Sequence, residues 1–275
     1  MDKIKITNLE VLAKHGVLPA EKMYRQKFLV TVVLYLDLRE AGKSDDLGKT
    51  IDYDKTTIEI KEFIENNTFD LIETVAGRLA DKLLIENPML QKVKIEISKP
   101  EARINADFET VSVEITRCRY KVFLSLGSNM GDREANLKFA IEELNNIPEN
   151  SVLKVSEFYN TAPYGSINQD DFLNACIEVD TILSPNKLLE TIQAIEAKAG
   201  RERIEKWGPR TLDIDIIYYG DLILSINDLI IPHLDMHNRE FVLLSLKEIA
   251  PNRLHPIYKK TTIKLLEEIT TRDEK

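Results

Sequence analysis

Sulfur is scarce in this sequence, basic charge is in deficit and no long apolar run occurs; each shortage removes a class of protein. Cys118 and Cys176 stand far apart, with no CxxC pair and no histidine beside either. They read as two reduced, buried thiols rather than a disulfide or a metal site. No Gly/Ser/Pro-rich linker, internal repeat or low-complexity run is present. The longest apolar stretches, Phe28 to Leu36 and Ile214 to Tyr219, fall far short of the roughly 20 residues of a membrane span. The start, Met1-Asp2-Lys3-Ile4-Lys5, has neither the apolar centre of a secretory signal nor an arginine-rich amphipathic pattern. The expectation is a cytoplasmic protein that meets no membrane. Lys and Arg number 37 against 46 Asp and Glu, a net charge of −9, which opposes non-specific binding to nucleic acid. An anionic substrate must then meet arginines gathered locally.

What is present suits a globular chain: 43% hydrophobic and 30% charged residues, in 275 residues that fit two cores better than one. The first part reads as an α+β unit. Its strands are expected over Lys3–Val11, Phe28–Leu38, Val93–Ser98 and Val111–Arg117, its helices over Lys55–Glu65 and Ile72–Ile85. Ile72, Val75, Leu79, Leu83 and Leu84 give the last helix one apolar stripe. At Tyr120 the pattern restarts. Strands are expected over Lys121–Leu126, Phe172–Val179 and Leu212–Tyr219, with helices beginning near Asp132, a capping residue, and at Pro185. A mostly irregular tail follows. The seam at Arg117 to Lys121 divides the chain into domains 1–118 and 119–275.

The densest chemistry runs from Arg201 to Asp215. Residues two apart on a strand share a face, so Asp213 and Asp215 point the same way while Leu212, Ile214 and Ile216 face a core. Paired carboxylates raise one another's pKa, and a hard divalent cation relieves them; magnesium is the expected ion. Alone, such a pair is more often a solvated edge strand. Here Arg201, Arg203 and Arg210 flank Trp207-Gly208-Pro209, a segment that cannot be regular helix, and lead into the aspartates. Guanidinium forks bind phosphate oxygens and carboxylate-held metals bridge phosphates, which together describe a nucleoside-triphosphate site. Gly127-Ser128-Asn129-Met130-Gly131 lacks the Gly-Lys-Ser/Thr of a P-loop.

This run resembles hydroxymethyl-dihydropterin pyrophosphokinase over nearly all of residues 121–256. Leu126 to Asn129, Tyr159 to Pro163, Phe172-Leu173-Asn174, Pro232-His233, Arg239-Glu240-Phe241 and Ile249-Ala250-Pro251 join it in order. The resemblance implies a ferredoxin-like fold and transfer of pyrophosphate from ATP to a dihydropterin hydroxymethyl group, leaving AMP. It implies two magnesium ions on Asp213 and Asp215, and ATP contacts from Arg201, Arg203, Arg210, His233 and Arg239, with Arg201 and Arg210 catalytic. It implies a pterin pocket of Thr161, Pro163, Tyr164, Asn174 and Trp207, with Phe172 and Phe241 sandwiching the ring. Taken singly, each phenylalanine is more often core, and His233 a capping or surface histidine.

In the first part, His15 to Glu21, Ile51-Asp52-Tyr53, Leu71-Ile72-Glu73 and Ser98-Lys99-Pro100 resemble dihydroneopterin aldolase over residues 2–117. That implies a T-fold (tunnelling fold), with Glu73 beside Ile72 anchoring the pterin and Lys99, Tyr53 and Glu21 managing protons. The ring C=N serves as electron sink for retro-aldol cleavage to hydroxymethyl-dihydropterin and glycolaldehyde, so neither a Schiff base nor a cofactor is needed. Zinc would require a ligand cluster, and this half offers only His15 and Cys118. The resemblance further implies self-association into a tetramer or octamer, with Tyr53 reaching a neighbour's pocket. Singly, Glu73 could merely complement a helix dipole, and Lys99 could end a strand as a solvated lysine. The first activity's product is the second's substrate. Two alternatives stay open: an active pyrophosphokinase behind a non-catalytic pterin-binding or assembly domain, and an arginine patch for RNA, which the net acidity opposes.

Overall fold

The computed structural model describes residues 1–163, 169–201, 208–226 and 228–273, and it divides into two compact units, Met1–Arg119 and Tyr120–Lys275. In the first, β1 (Asp2–Ala13), α1 (Pro19–Met23), β2 (Gln26–Leu36), α2 (Arg39–Ser44), α3 (Tyr53–Asn66), α4 (Ile72–Glu86), β3 (Lys92–Lys99) and β4 (Val111–Cys118) follow in order. The strands form one antiparallel sheet in the order β1-β2-β3-β4. The second strand begins and ends two residues earlier than expected, because the chain turns at Leu38 into α2. Alternation then decides the layers: Val30, Val32 and Leu34 of β2 and Val93, Ile95 and Ile97 of β3 are buried, and α3 and α4 supply Ile60, Ile64, Val75, Leu79 and Leu83 to the core. Helix α3 starts where the Asp52 carboxylate accepts the Asp54 and Lys55 amides at 3.0 and 3.2 Å. Two strand pairs joined through two helices on one sheet are the unit of a T-fold.

The second unit runs β5 (Tyr120–Ser128), α5 (Arg133–Asn145), β6 (Asn150–Val155), β7 (Tyr159–Thr161), β8 (Phe172–Thr181), α6 (Pro185–Lys198), β9 (Asp213–Tyr219), β10 (Leu224–Ile226), β11 (Leu229–Ile231), α7 (Glu240–Ile249) and α8 (Thr262–Asp273). Its main sheet orders β6-β8-β5-β9, with β7 added beside β8, so a βαββαβ chain places its first and third strands centrally in the ferredoxin-like manner. Asp132 caps α5 by accepting the Ala135 amide at 3.0 Å. One sheet face packs Val122, Leu124, Leu126, Ile177 and Val179 against Leu137 and Leu144 of α5 and Leu188 and Ile192 of α6. The opposite face packs Phe123, Cys176 and Tyr218 against Val242, Leu246, Leu265 and Ile269.

That second layer corrects the expectation of an irregular tail: α7 and α8 are regular helices, and they cover a sheet face that would otherwise be wet. The cysteine reading also needs correction. Cys176 is buried, and desolvation pushes its thiol up to about 12, but Cys118 is only half-buried at the end of β4. Among the described residues, no helix is long and apolar enough to cross a membrane.

Candidate functional sites

In the first unit the structure brings Lys99 and Glu21 together. Lys99 is the next residue in phase with Val93, Ile95 and Ile97, so the strand's alternation turns it inward, where it is 9% exposed. This overturns its reading as a solvated strand end. Its Nζ lies 2.5 Å from Glu21 Oε1 and 3.4 Å from the His15 carbonyl oxygen. Glu21, in the short helix α1, accepts the Leu18 amide at 3.0 Å through Oε2. Burial alone would raise the Glu21 pKa; the Lys99 and Leu18 hydrogen bonds outweigh it and hold the carboxyl below its ordinary range. Gly16 adopts φ +143°, and a Cβ there would stand 2.1 Å from Glu21 Oε2, so only glycine leaves the carboxylate its place. His15 is fully buried, its ring stacked on Phe69 and edge-on to Phe28. Desolvation lowers its pKa to about 4, so the imidazole is neutral. Tyr53 is 64% exposed, Glu73 is exposed and Ile72 half-buried at the start of α4.

In the second unit the site lies on the α7 side of the sheet, at the adjoining ends of β8, β5 and β9. Register places Asp213 opposite Gly127 and Gly127 opposite Asn174; Asp215 follows opposite Ser125, and Ser125 opposite Cys176. Because Gly127 lacks a side chain, the row is open between the aspartates and Asn174. A Cβ there would come 3.0 Å from Asn174 Oδ1 and 3.8 Å from the Phe172 ring. Asn174 donates to Thr161 Oγ1 at 2.7 Å, which fixes the amide at the mouth of that opening.

The aspartates are met by guanidiniums. Arg201 Nη1 lies 2.7 Å from Asp213 Oδ1, Arg210 Nη1 donates to Asp213 Oδ2 at 2.6 Å, and Arg239 Nη1 donates to Asp215 Oδ2 at 3.0 Å. His233 Nε2 stands 3.8 Å from Asp215 Oδ2. Burial holds the Asp213 carboxyl above the usual carboxylate range and Asp215 reinforces it, against the arginines. Burial likewise lowers the pKa of His233. Arg210 also stands 5.9 Å over the Phe172 ring, linking the cationic side of the site to its aromatic side. Phe241 is half-buried against the apolar core at the start of α7. Pro163 ends the described segment after β7 and is half-buried. Tyr164, Arg203 and Trp207 lie outside the described residues.

Sequence reading missed Glu196. It is 4% exposed, ion-paired to Arg201, and accepts the Ile214 amide at 2.8 Å. Burial raises its pKa, with the Ile214 and Arg201 contacts opposing. A signal existed: Leu188, Ile192 and Glu196 lie at four-residue spacing on the buried stripe of α6. Groups of three or more His, Cys, Asp and Glu able to hold a metal are absent among the described residues.

Comparison with known proteins agrees with this division. The family model for dihydroneopterin aldolase matches residues 4–116, and that for 7,8-dihydro-6-hydroxymethylpterin-pyrophosphokinase matches residues 123–251. A folic acid synthesis protein of Dictyostelium discoideum is 33% identical over 95% of this chain and 44% of its own length. The chain thus spans less than half the length of that relative. The 2-amino-4-hydroxy-6-hydroxymethyldihydropteridine pyrophosphokinase of Synechocystis is 45% identical over 53% of this chain and 74% of the relative. The crystal structure of Escherichia coli dihydroneopterin aldolase in complex with neopterin shares 32% identity, covering 42% of this chain and 99% of that one, with a TM-score of 0.40. The chain therefore belongs to the 7,8-dihydro-6-hydroxymethylpterin-pyrophosphokinase family through its second unit, and carries ahead of it a domain of the dihydroneopterin aldolase family.

Proposed function

We propose that the chain performs consecutive steps of folate synthesis: cleavage of 7,8-dihydroneopterin in the first unit, then pyrophosphorylation of the product in the second. The observation that carries the second step is the set of arginines held on Asp213 and Asp215. The site already balances its own anions with the cations a triphosphate needs. Two carboxylate donors fit magnesium, which usually takes few protein ligands and completes its shell with phosphate oxygens and water. Asp213 and Asp215 would hold the two ions, which supply charge neutralisation along the triphosphate. Freed from the carboxylates, Arg201, Arg210 and Arg239 can turn to phosphate oxygens, with Arg203 and His233 completing the nucleotide contacts. The pterin lies at the Phe172, Asn174 and Thr161 side, with Phe241, Pro163, Tyr164 and Trp207 as its further contacts. The hydroxymethyl oxygen attacks the β-phosphorus of ATP, the α–β bridging bond breaks to release AMP, and the hydroxyl proton passes to solvent.

In the first unit the Lys99–Glu21 pair is the proton-handling group. The side-chain 2′-hydroxyl gives up its proton, the C1′–C2′ bond breaks to release glycolaldehyde, and its electron pair enters the ring C=N; C1′ is then reprotonated. That route uses no cofactor, because the substrate carries its own electron sink. The exposed Tyr53 suits a pocket completed between chains, reaching a neighbour's Glu73 and Lys99, so we place the working form as a tetramer or octamer built through this unit. Free Cys118 and Cys176 suit the reducing cytoplasm. The test is direct: with magnesium–ATP the chain should make AMP from 6-hydroxymethyl-7,8-dihydropterin, and without ATP it should release glycolaldehyde from dihydroneopterin. AMP formation without glycolaldehyde release would leave the first unit a binding or assembly module.

A further inference from the structure

Asn129, in the turn after β5, is 4% exposed where three segments of the second unit meet. Its Oδ1 accepts the Arg210 backbone N–H at 2.8 Å, and the Asn129 backbone N–H donates to the Arg210 carbonyl at 3.2 Å. Its Nδ2 donates to Gln169 Oε1 at 3.1 Å and to the Asp170 carbonyl at 3.2 Å. The side chain therefore uses its acceptor on one segment and both donors on another. Topology explains the reach: β5 lies between β8 and β9, so the turn leaving it can touch the chain entering each. Asp170 stands two residues before Phe172, and Arg210 three before Asp213.

The turn is itself fixed. Asn136 of α5 donates to the Met130 carbonyl at 3.0 Å and to Ser128 Oγ at 3.1 Å, and Arg133 donates to the Asp171 carbonyl at 2.7 Å. An open cavity of about 730 Å³ borders this junction.

We propose that Asn129 is a positioning residue: a single buried amide that sets the spacing between the pterin-side and nucleotide-side walls of the site. Its catalytic consequence rests on the pyrophosphokinase reading; its structural consequence does not. Both are testable in the full-length chain with Asn129→Ala and the isosteric Asn129→Asp. In the unliganded protein, Asn129→Ala should speed amide hydrogen exchange about tenfold or more at both Arg210 and residues 169–171. Asn129→Asp keeps the acceptor for Arg210 but sets an oxygen against two acceptors, so it should loosen residues 169–171 and leave Arg210 protected. If the alanine variant does not fold, the aspartate variant carries the comparison.

In turnover, both variants should lose about tenfold or more in kcat for AMP formation. Binding of a non-hydrolysable magnesium–ATP analogue alone, and of oxidised 6-hydroxymethylpterin alone, should stay within about threefold of native. Weakening of either binary affinity by the same factor as kcat/KM would make Asn129 a direct ligand contact and overturn the proposal. So would unchanged exchange in Asn129→Ala. A native chain that makes no AMP defeats the pyrophosphokinase reading, while the exchange measurements still decide the joint.

Discussion

Replacing Gly16 by alanine should disable the first activity while leaving the second untouched. The added Cβ would lie 2.1 Å from Glu21 Oε2 and 2.4 Å from its Cδ. Restoring ordinary van der Waals contact moves the carboxylate by roughly 1.3 Å, since carbon contacts settle near 3.5 Å. The 2.5 Å contact to Lys99 cannot survive such a shift. Misplacing a catalytic group by about 1 Å costs on the order of 100-fold in rate, or about 2.7 kcal/mol of barrier. The strained φ at this position adds roughly 1–3 kcal/mol of destabilisation to the first unit. Glycolaldehyde release from dihydroneopterin should therefore fall about 100-fold, with AMP formation from hydroxymethyl-dihydropterin serving as the internal control. A double-mutant cycle separates the causes. If Gly16→Ala costs as much on a Glu21→Ala background as on the native one, backbone strain rather than displacement of Glu21 is responsible, and the reasoning fails.

Asp213→Asn and Asp215→Asn should each abolish AMP formation and leave glycolaldehyde release near native; equal loss of both activities in a folded protein contradicts the two-site reading. Because burial and Asp215 hold the Asp213 pKa up, the folded state keeps that proton longer than the unfolded chain does. Its contribution to stability is present at acid pH and lost as pH rises through the raised pKa, so thermal scans at neutral pH should find Asp213→Asn melting higher than native; a lower melting temperature opposes this. His15 has the opposite sign: with a pKa of about 4 against an ordinary 6.5, it should make the first unit lose stability as pH falls across that window, and His15→Gln should flatten the dependence. An unchanged slope in the variant excludes His15 as its source. Lys99→Ala and Tyr53→Phe chains, each inactive in cleavage, should partly restore activity on mixed reassembly, whereas Lys99→Ala with Glu73→Ala should not; a fully active monomer by light scattering rules out the shared site.

Periodicity carried much of this architecture. The stripe from Ile72 to Leu84 and the alternation from Leu212 to Ile216 each correctly placed a core face, and the second turned Asp213 and Asp215 together. Lys99 was legible by the same rule, since it continues the phase of Val93, Ile95 and Ile97; its charge argued for solvent, and the buried Glu21 that answers it comes from α1, 78 residues earlier. Helix α7 was harder. Val242, Leu243, Leu246 and Ile249 are buried, and Phe241 and Leu244 are partly so, because the helix packs against both the sheet and α8. An element apolar on most sides shows little period contrast. Asn129 closes the Leu126 to Asn129 motif, but its pairing was not legible, because its partners lie 40 and 81 residues away.

Two sites acting in succession on one chain must show themselves in the order in which the two products depend on each other. Native chain and Lys99→Ala chain are each given dihydroneopterin with magnesium–ATP, and glycolaldehyde and AMP are followed together. The native chain should form both products, and Lys99→Ala neither until 6-hydroxymethyl-7,8-dihydropterin is added, when AMP should appear at the native rate. AMP formed by Lys99→Ala from dihydroneopterin alone, or no glycolaldehyde from the native chain, would contradict that succession.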